Sequence, residues 1–143
     1  MPNTFESTQP PSSLGKWLEE LYYHRIICQP EDDVLIKAFE ECVSEDFVAR
    51  INQDQYSRQD YMKALLDFRV DTTTRIESTQ EIRCWNAPDK SGSGCVSQLV
   101  HVVDVNKKTG ASTKSSTLLI ANIKVVNGRR VWTELTEILN GPE

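Results

Sequence analysis

The stretch from residue 115 to 139, SSTLLIANIKVVNGRRVWTELTEIL, constrains this chain more than any other. Two apolar runs meet at Asn127-Gly128. Asn-Gly suits a two-residue type I′ turn, because both central residues need positive φ. A regular hairpin closed by that turn pairs Val126 with Arg129, Lys124 with Val131, Asn122 with Thr133, Ile120 with Leu135 and Leu118 with Glu137. Those residues share one face; Leu119, Ala121, Ile123, Val125, Trp132, Glu134, Thr136 and Ile138 share the other. Both faces are mostly apolar, so the pattern predicts a central hairpin covered on two sides. The polar residues on each face need partners wherever the sheet is sealed from water.

The length, 143 residues, suits one ordinary domain with a real core. Net charge is −5 and no basic run occurs, which argues against nucleic acid or an anionic membrane as partner. Cys28, Cys42, Cys84 and Cys95 sit in apolar surroundings without a CxxC motif. They read as buried, reduced thiols of a cytoplasmic protein. No run reaches the roughly 18 apolar residues of a membrane span. The N-terminus, MPNTFESTQPPSS, lacks the basic start and apolar centre of a secretory signal.

Residues 1–13 read as a loose polar arm and 14–139 as a single domain. Ser12 or Ser13 can cap a first helix. Leu14, Trp17, Leu18, Leu21, His24, Arg25 and Cys28 then recur at helical spacing. Pro30 restarts the pattern for a second helix, with Val34, Leu35, Ala38, Phe39 and Cys42 inward and Glu31 to Asp33 at its positive end. A short strand is expected over 46–52. Ser57 to Asp60 approximates a capping box and opens a third helix from Arg58 to about Arg69. Residues 72–85 alternate as a strand with one charged face, 86–94 form a loop, 95–105 a strand and 106–113 a turn. Helices first and antiparallel strands after predict an α+β fold, with three helices against a curved antiparallel sheet.

FEECVSEDFVARIN leading into SRQDYMKALLDFR, with NGRRVWTELTEIL at the end, resembles the nuclear-transport-factor-2-like superfamily. Its SnoaL-like polyketide cyclases, ketosteroid isomerases and scytalone dehydratases are the relevant branches. The resemblance covers about residues 14–139. It implies a cone-shaped sheet wrapped around a long N-terminal helix, an apolar pocket at the mouth, and dimers through the outer sheet face. Ketosteroid isomerases carry a carboxylate base at the end of the first strand; here the matching region is Arg50-Ile51-Asn52. Their acid on the next-to-last strand falls at Ile120. His101 and Asn122 are similar in strand and spacing to a histidine and an asparagine of scytalone dehydratases. The second histidine's region reads Thr74-Arg75-Ile76, and the serine position is again Ile120.

The candidate catalytic residues are His101, Glu137 and His24. Histidine exchanges protons near neutral pH, and a buried Glu137 would hold its proton more tightly. Each also has a plain structural reading: a bonded core histidine, a helix-end cation, a solvated rim carboxylate. Tyr22 or Tyr23 could donate to a substrate oxygen; only one of the two can face inward on a regular helix. Asn122 interrupts an aliphatic run on the face given to the pocket, with Ile120, Thr133 and Leu135 beside it. Glu134 is the counterpart on the opposite face. Trp85 could wall the pocket, and Trp132 suits an interface.

There is no phosphate loop, nucleophile elbow or zinc-ligand spacing, so no cofactor or metal is implied. The resemblance implies a cofactor-independent isomerase, cyclase or dehydratase-type lyase. Its substrate would be an apolar oxygenated small molecule such as a polyketide, terpenoid or alkaloid intermediate. The competing readings are a non-catalytic binding or dimerisation module, and a hydrolase with water activated by Glu137. A homodimer is the expected assembly.

Overall fold

The computed structural model describes residues 11–141; most of the N-terminal arm lies outside them. Helix α1 begins at Ser13, where the Ser12 hydroxyl accepts the Gly15 N–H at 3.0 Å. It is α-helical over Ser13–Leu18 and widens into a π-helix over Glu19–Ile27. Helix α2 spans Asp32–Cys42, with Asp32 and Asp33 in its first turn. Strand β1 (Val43–Ile51) and the short β2 (Asp54–Ser57) follow. Helix α3 spans Arg58–Arg69, and the Ser57 hydroxyl caps it by accepting the Asp60 N–H at 3.2 Å. Strands β3 (Thr72–Asn86), β4 (Gly94–Asn106), β5 (Ser112–Val126) and β6 (Arg129–Asn140) complete the chain.

The strands form one curved, open sheet in the order β2-β1-β6-β5-β4-β3. The architecture is the expected α+β fold of three helices and a curved sheet. The sheet is mixed rather than wholly antiparallel, because β1 runs parallel to β6. The connection from β1 to β6, made of β2, α3 and strands β3 to β5, is ample for the crossover that a parallel pair needs.

Asn127 and Gly128 have φ of 54° and 78°, as the type I′ turn requires. The predicted pairs hold from Val126–Arg129 to Ile123–Trp132. There the register shifts, and Asn122 pairs with Glu134 instead of Thr133. Thr133 is the extra residue of a β-bulge, and its hydroxyl donates to the Asn122 carbonyl at 3.0 Å. Beyond it every expected pair is off by one: Ala121 meets Leu135, Ile120 meets Thr136, Leu119 meets Glu137 and Leu118 meets Ile138. A one-residue slip changes which strand positions share a face.

The concave face carries Thr117, Leu119, Ala121 and Ile123 of β5 with Trp132, Leu135 and Glu137 of β6, all buried. Leu14, Leu18, Leu21 and Ile26 of α1 fill the hollow, with Leu35, Ala38 and Phe39 of α2 behind. Trp132 is at the centre, its ring 4.8 Å from Tyr22 and 5.0 Å from Phe47. It is a core residue and not the interface residue expected from sequence. Among the described residues, no helix packs on the convex face. Leu118, Ile120 and Ile138 are exposed there, Ile120 by 50% and Ile138 by 63%. The four cysteines are free and half-buried, less enclosed than expected. No helix among the described residues is long and apolar enough to cross a membrane.

Two glycines test this geometry differently. A Cβ at Gly128 meets no atom within 4 Å, so Gly128→Ala is penalised only by its positive φ. The expected loss is about 1 kcal/mol. A Cβ at Gly94 would stand 2.1 Å from the Trp85 carbonyl oxygen and 2.7 Å from a Leu14 methyl. Urea titration should show Gly94→Ala to be the more damaging change. Equal midpoints for the two variants would contradict the close approach of β3, β4 and α1.

Candidate active site

The bulge and the π-helix together assemble a polar cluster inside the apolar hollow. On a regular α-helix, neighbouring side chains diverge too far to face one sheet together. The i→i+5 bonding of a π-helix places more residues in each turn and narrows that angle. The Cys28 N–H reaches the Tyr23 carbonyl at 2.9 Å, an i→i+5 bond. Tyr22 and Tyr23 are consequently both buried against the sheet, rather than one of them.

Tyr22 is the hub. Its hydroxyl donates to Glu137 Oε1 at 2.9 Å and accepts from the Tyr61 hydroxyl at 2.5 Å. Tyr61 is the buried residue of α3. Thr117, across the sheet, donates to Glu137 Oε2 at 2.7 Å. Glu137 is only 7% exposed. Burial raises its pKa above the usual carboxylate value, and the bonds from Thr117 and Tyr22 only partly oppose this. Burial, followed by the nearby Glu137 charge, also pushes the Tyr22 and Tyr61 phenols well up. The cluster therefore has one titratable proton of functional interest, on Glu137, and hydroxyls that can reverse their bonds when it arrives.

Glu137, Tyr22 and Thr117 border a cavity of about 120 Å³, otherwise walled largely by aliphatic and aromatic side chains. Phe68 and Leu139, both exposed, stand at its edge. Arg69 also borders it. Its guanidinium donates to the Ile26 carbonyl at 2.8 Å and pairs with Asp32 at 3.1 Å, tying the ends of α1 and α3 to the start of α2. A second polar chain lies beside the first. The Tyr23 hydroxyl donates to Gln98 Oε1, and Gln98 Nε2 donates to Glu19 Oε2 at 3.1 Å. Gln98 is fully buried. Glu19 has its pKa raised, chiefly by burial.

The other expected site residues lie elsewhere. His101 follows Val100, which faces the cavity, and so points to the convex side between Ser78 and Ser116. His24 is exposed on α1, at the edge of a separate cleft. Asn122 faces the convex side, where its amide donates to Glu134 at 3.1 Å. Ile120 shares that side. Trp85 pairs with Cys95 on the same side and is 58% exposed. Thr133 is taken up by the bulge, and Leu135 is sealed in the core without bordering the cavity. The cause is common to Asn122, Ile120 and Thr133: the regular hairpin put them on one face with Glu137, and the bulge separates them from it, while Leu135 stays on the Glu137 face.

Sequence reasoning passed over Tyr61, Thr117 and Gln98 as polar site residues. Gln98 had a readable signal, since it falls at the same parity as Val96 and Val100 in a strand of inward valines. Thr117 likewise shares parity with Leu119 and Ala121. Tyr61 looked like any apolar position of an amphipathic helix.

No protein-family model matches the sequence, and no curated protein is a detectable sequence relative. Solved structures do match in fold. ActVI-ORFA from Streptomyces coelicolor aligns with a TM-score of 0.63 at 18% identity, over 91% of this chain and 97% of that one. A ketosteroid isomerase-like protein from Erwinia carotovora atroseptica gives 0.61 at 11% identity, over 79% and 84% of the two chains. A type 2 hexachlorocyclohexane dehydrochlorinase gives 0.60 at 11% identity, over 87% and 83%. At these identities the likeness is one of architecture. The helix-filled curved sheet, its cavity and these alignments agree that the chain has the nuclear-transport-factor-2-like fold.

Proposed function

We propose that the protein is a cofactor-independent isomerase, cyclase or lyase acting by proton transfer on an apolar, oxygenated small molecule. The observation that carries this reading is Glu137: a buried carboxyl with a raised pKa, bordering a largely apolar cavity and bonded by two hydroxyls. Perturbed groups of this kind, in a cavity, are candidates for acid-base work. The fold neighbours include a dehydrochlorinase and an isomerase-like protein, which supports the general class. Polyketide, terpenoid or alkaloid intermediates are the substrate class we favour, from the SnoaL-like resemblance.

In this mechanism ionised Glu137 takes a proton from carbon beside a carbonyl or from a hydroxyl-bearing position. Tyr22 spends its hydrogen on Glu137 while the carboxylate is charged. Once protonated, the carboxyl becomes a donor itself and releases the Tyr22 hydrogen towards the substrate oxygen that gains charge. Tyr61 holds the Tyr22 oxygen in place throughout. Glu137 then returns its proton at another atom of the substrate, or to a leaving group.

A second reading has its own support. The cavity volume of 120 Å³ is small, whereas drug-sized ligands occupy roughly 300–1,000 Å³. A module that binds a small apolar ligand without turnover would look the same at Glu137. We also propose that the exposed convex face, with Leu118, Ile120 and Ile138, pairs two copies into a homodimer.

Deuterium exchange into cyclohexanone, a one-ring ketone, followed by proton NMR, separates catalysis from binding without knowledge of the natural substrate. Exchange should accelerate with enzyme and rise with pH through the raised Glu137 pKa, because the base must be ionised. Glu137→Gln should slow it by about 10²- to 10⁴-fold. Binding without exchange would favour the module. Stability should carry the matching signature. Folded Glu137 keeps its proton to higher pH than the unfolded chain, whose carboxyl titrates near 4.5. The Glu137 contribution to stability is therefore fully present below that value and is lost as pH rises through the folded pKa. Urea midpoints across this window should decline for the native chain and decline less for Glu137→Gln. Sedimentation should show the native chain as a dimer and Ile120→Lys as a monomer; identical sedimentation would remove the convex face from the assembly.

A further inference from the structure

The 120 Å³ cavity does not end at a solid wall. Beyond Tyr23 lies a cleft of about 430 Å³ between α1 and β3. Tyr23 and Thr74 border both spaces. The far cleft has a different chemistry: Glu19, His24, Arg75 and Thr79 face it, against the mainly apolar lining on the Glu137 side. Each half of the partition is anchored by one side-chain hydrogen bond. Thr74 is on a strand, and its hydroxyl donates to Asp104 at 2.7 Å. Tyr23 belongs to the π-helix, and its hydroxyl is anchored by the bond to Gln98. The Tyr23 phenol is raised by burial and then by Glu19 and Glu137, carboxylates on either side of it.

We propose that these spaces form one bipartite substrate site, and that Tyr23 is the partition whose displacement lets a longer substrate span it. The inference deepens the reading of the Glu137 cavity by assigning the substrate's shape. The ligand class is a flat molecule of two or more fused rings with oxygen functions at both ends. One oxygen-bearing end lies beside Glu137 and Tyr22, with its rings against the apolar wall. Its far hydroxyl takes the place of the Tyr23 phenol on Gln98 Oε1, within reach of the polar groups of the cleft. Together the two spaces reach the size expected for such a ligand, which the inner cavity alone does not. A displaced Tyr23 leaves no buried acceptor unpaired, because the ligand hydroxyl replaces the one it removes.

Two probes test this in the full-length chain: phenol, short enough for the inner cavity, and 2,7-dihydroxynaphthalene, long enough to cross the partition. Amide chemical shifts of the native protein should respond at Leu119 and Glu137 with both probes. They should respond at His24 and Thr79 only with the naphthalene. Tyr23→Phe removes the bond to Gln98 while keeping the ring, so the naphthalene should bind about fivefold more tightly and phenol unchanged. Naphthalene binding that leaves His24 and Thr79 unmoved, or an equal change in affinity for both probes, would overturn the bipartite site. These readouts are of binding alone. They stand if Glu137→Gln leaves exchange untouched, and catalysis at Glu137 stands if they fail.

Discussion

Trp132 and Glu137 lie on one strand an odd number of residues apart, and both face the hollow. A strand of period two cannot do this without an added residue. Thr133 is that residue, and the site depends on it. A regular strand that kept Trp132 in the core would turn Leu135 and Glu137 outward. With the bulge, the same strand supplies the central aromatic of the core and, further along, the one carboxyl the cavity holds. The bond from the Thr133 hydroxyl to the Asn122 carbonyl gives the irregular backbone a local partner.

The π-helix answers the same problem on the other wall. Two consecutive tyrosines must reach two different acceptors, Glu137 and Gln98, on different strands of the sheet. An α-helix could aim one of them. In both walls the polar groups sit where regular geometry would have placed something else, and each irregularity lies at the site, as local departures from ideal structure often do. Burial then determines the chemistry. The carboxyl holds its proton to higher pH because the space around it is apolar, and burial pushes the phenols beside it up as well.

The architecture was legible because it rests on local rules. Asn127-Gly128 announced its turn, Ser12 and Ser57 announced their caps, and the third helix ran over the residues its pattern predicted. Glu137 was reached by a wrong route. A regular hairpin placed it in the pocket together with Asn122, which faces the other side. The missing step was tertiary: Trp132 and Leu135 are both large and apolar at an odd spacing, and only a demand that both be buried reveals the bulge. His101 misled for the same reason in reverse. Its nearest neighbours, Leu99, Val100, Val102 and Val103, are all apolar, so sequence could not tell which of them faced the helix.

The widened turn of α1 has a consequence for how sequences of this architecture can drift apart. A π-helix holds one residue more than the α-helical path between the same two ends. Losing a single residue between Glu19 and Cys28 would let the segment relax to ordinary winding without disturbing either flank. The hydrogen-bond ladder would improve, and the paired phenols would be pulled out of step with the sheet. Helical regularity and the two-tyrosine wall are thus alternatives at this point in the chain, and this protein has the wider winding.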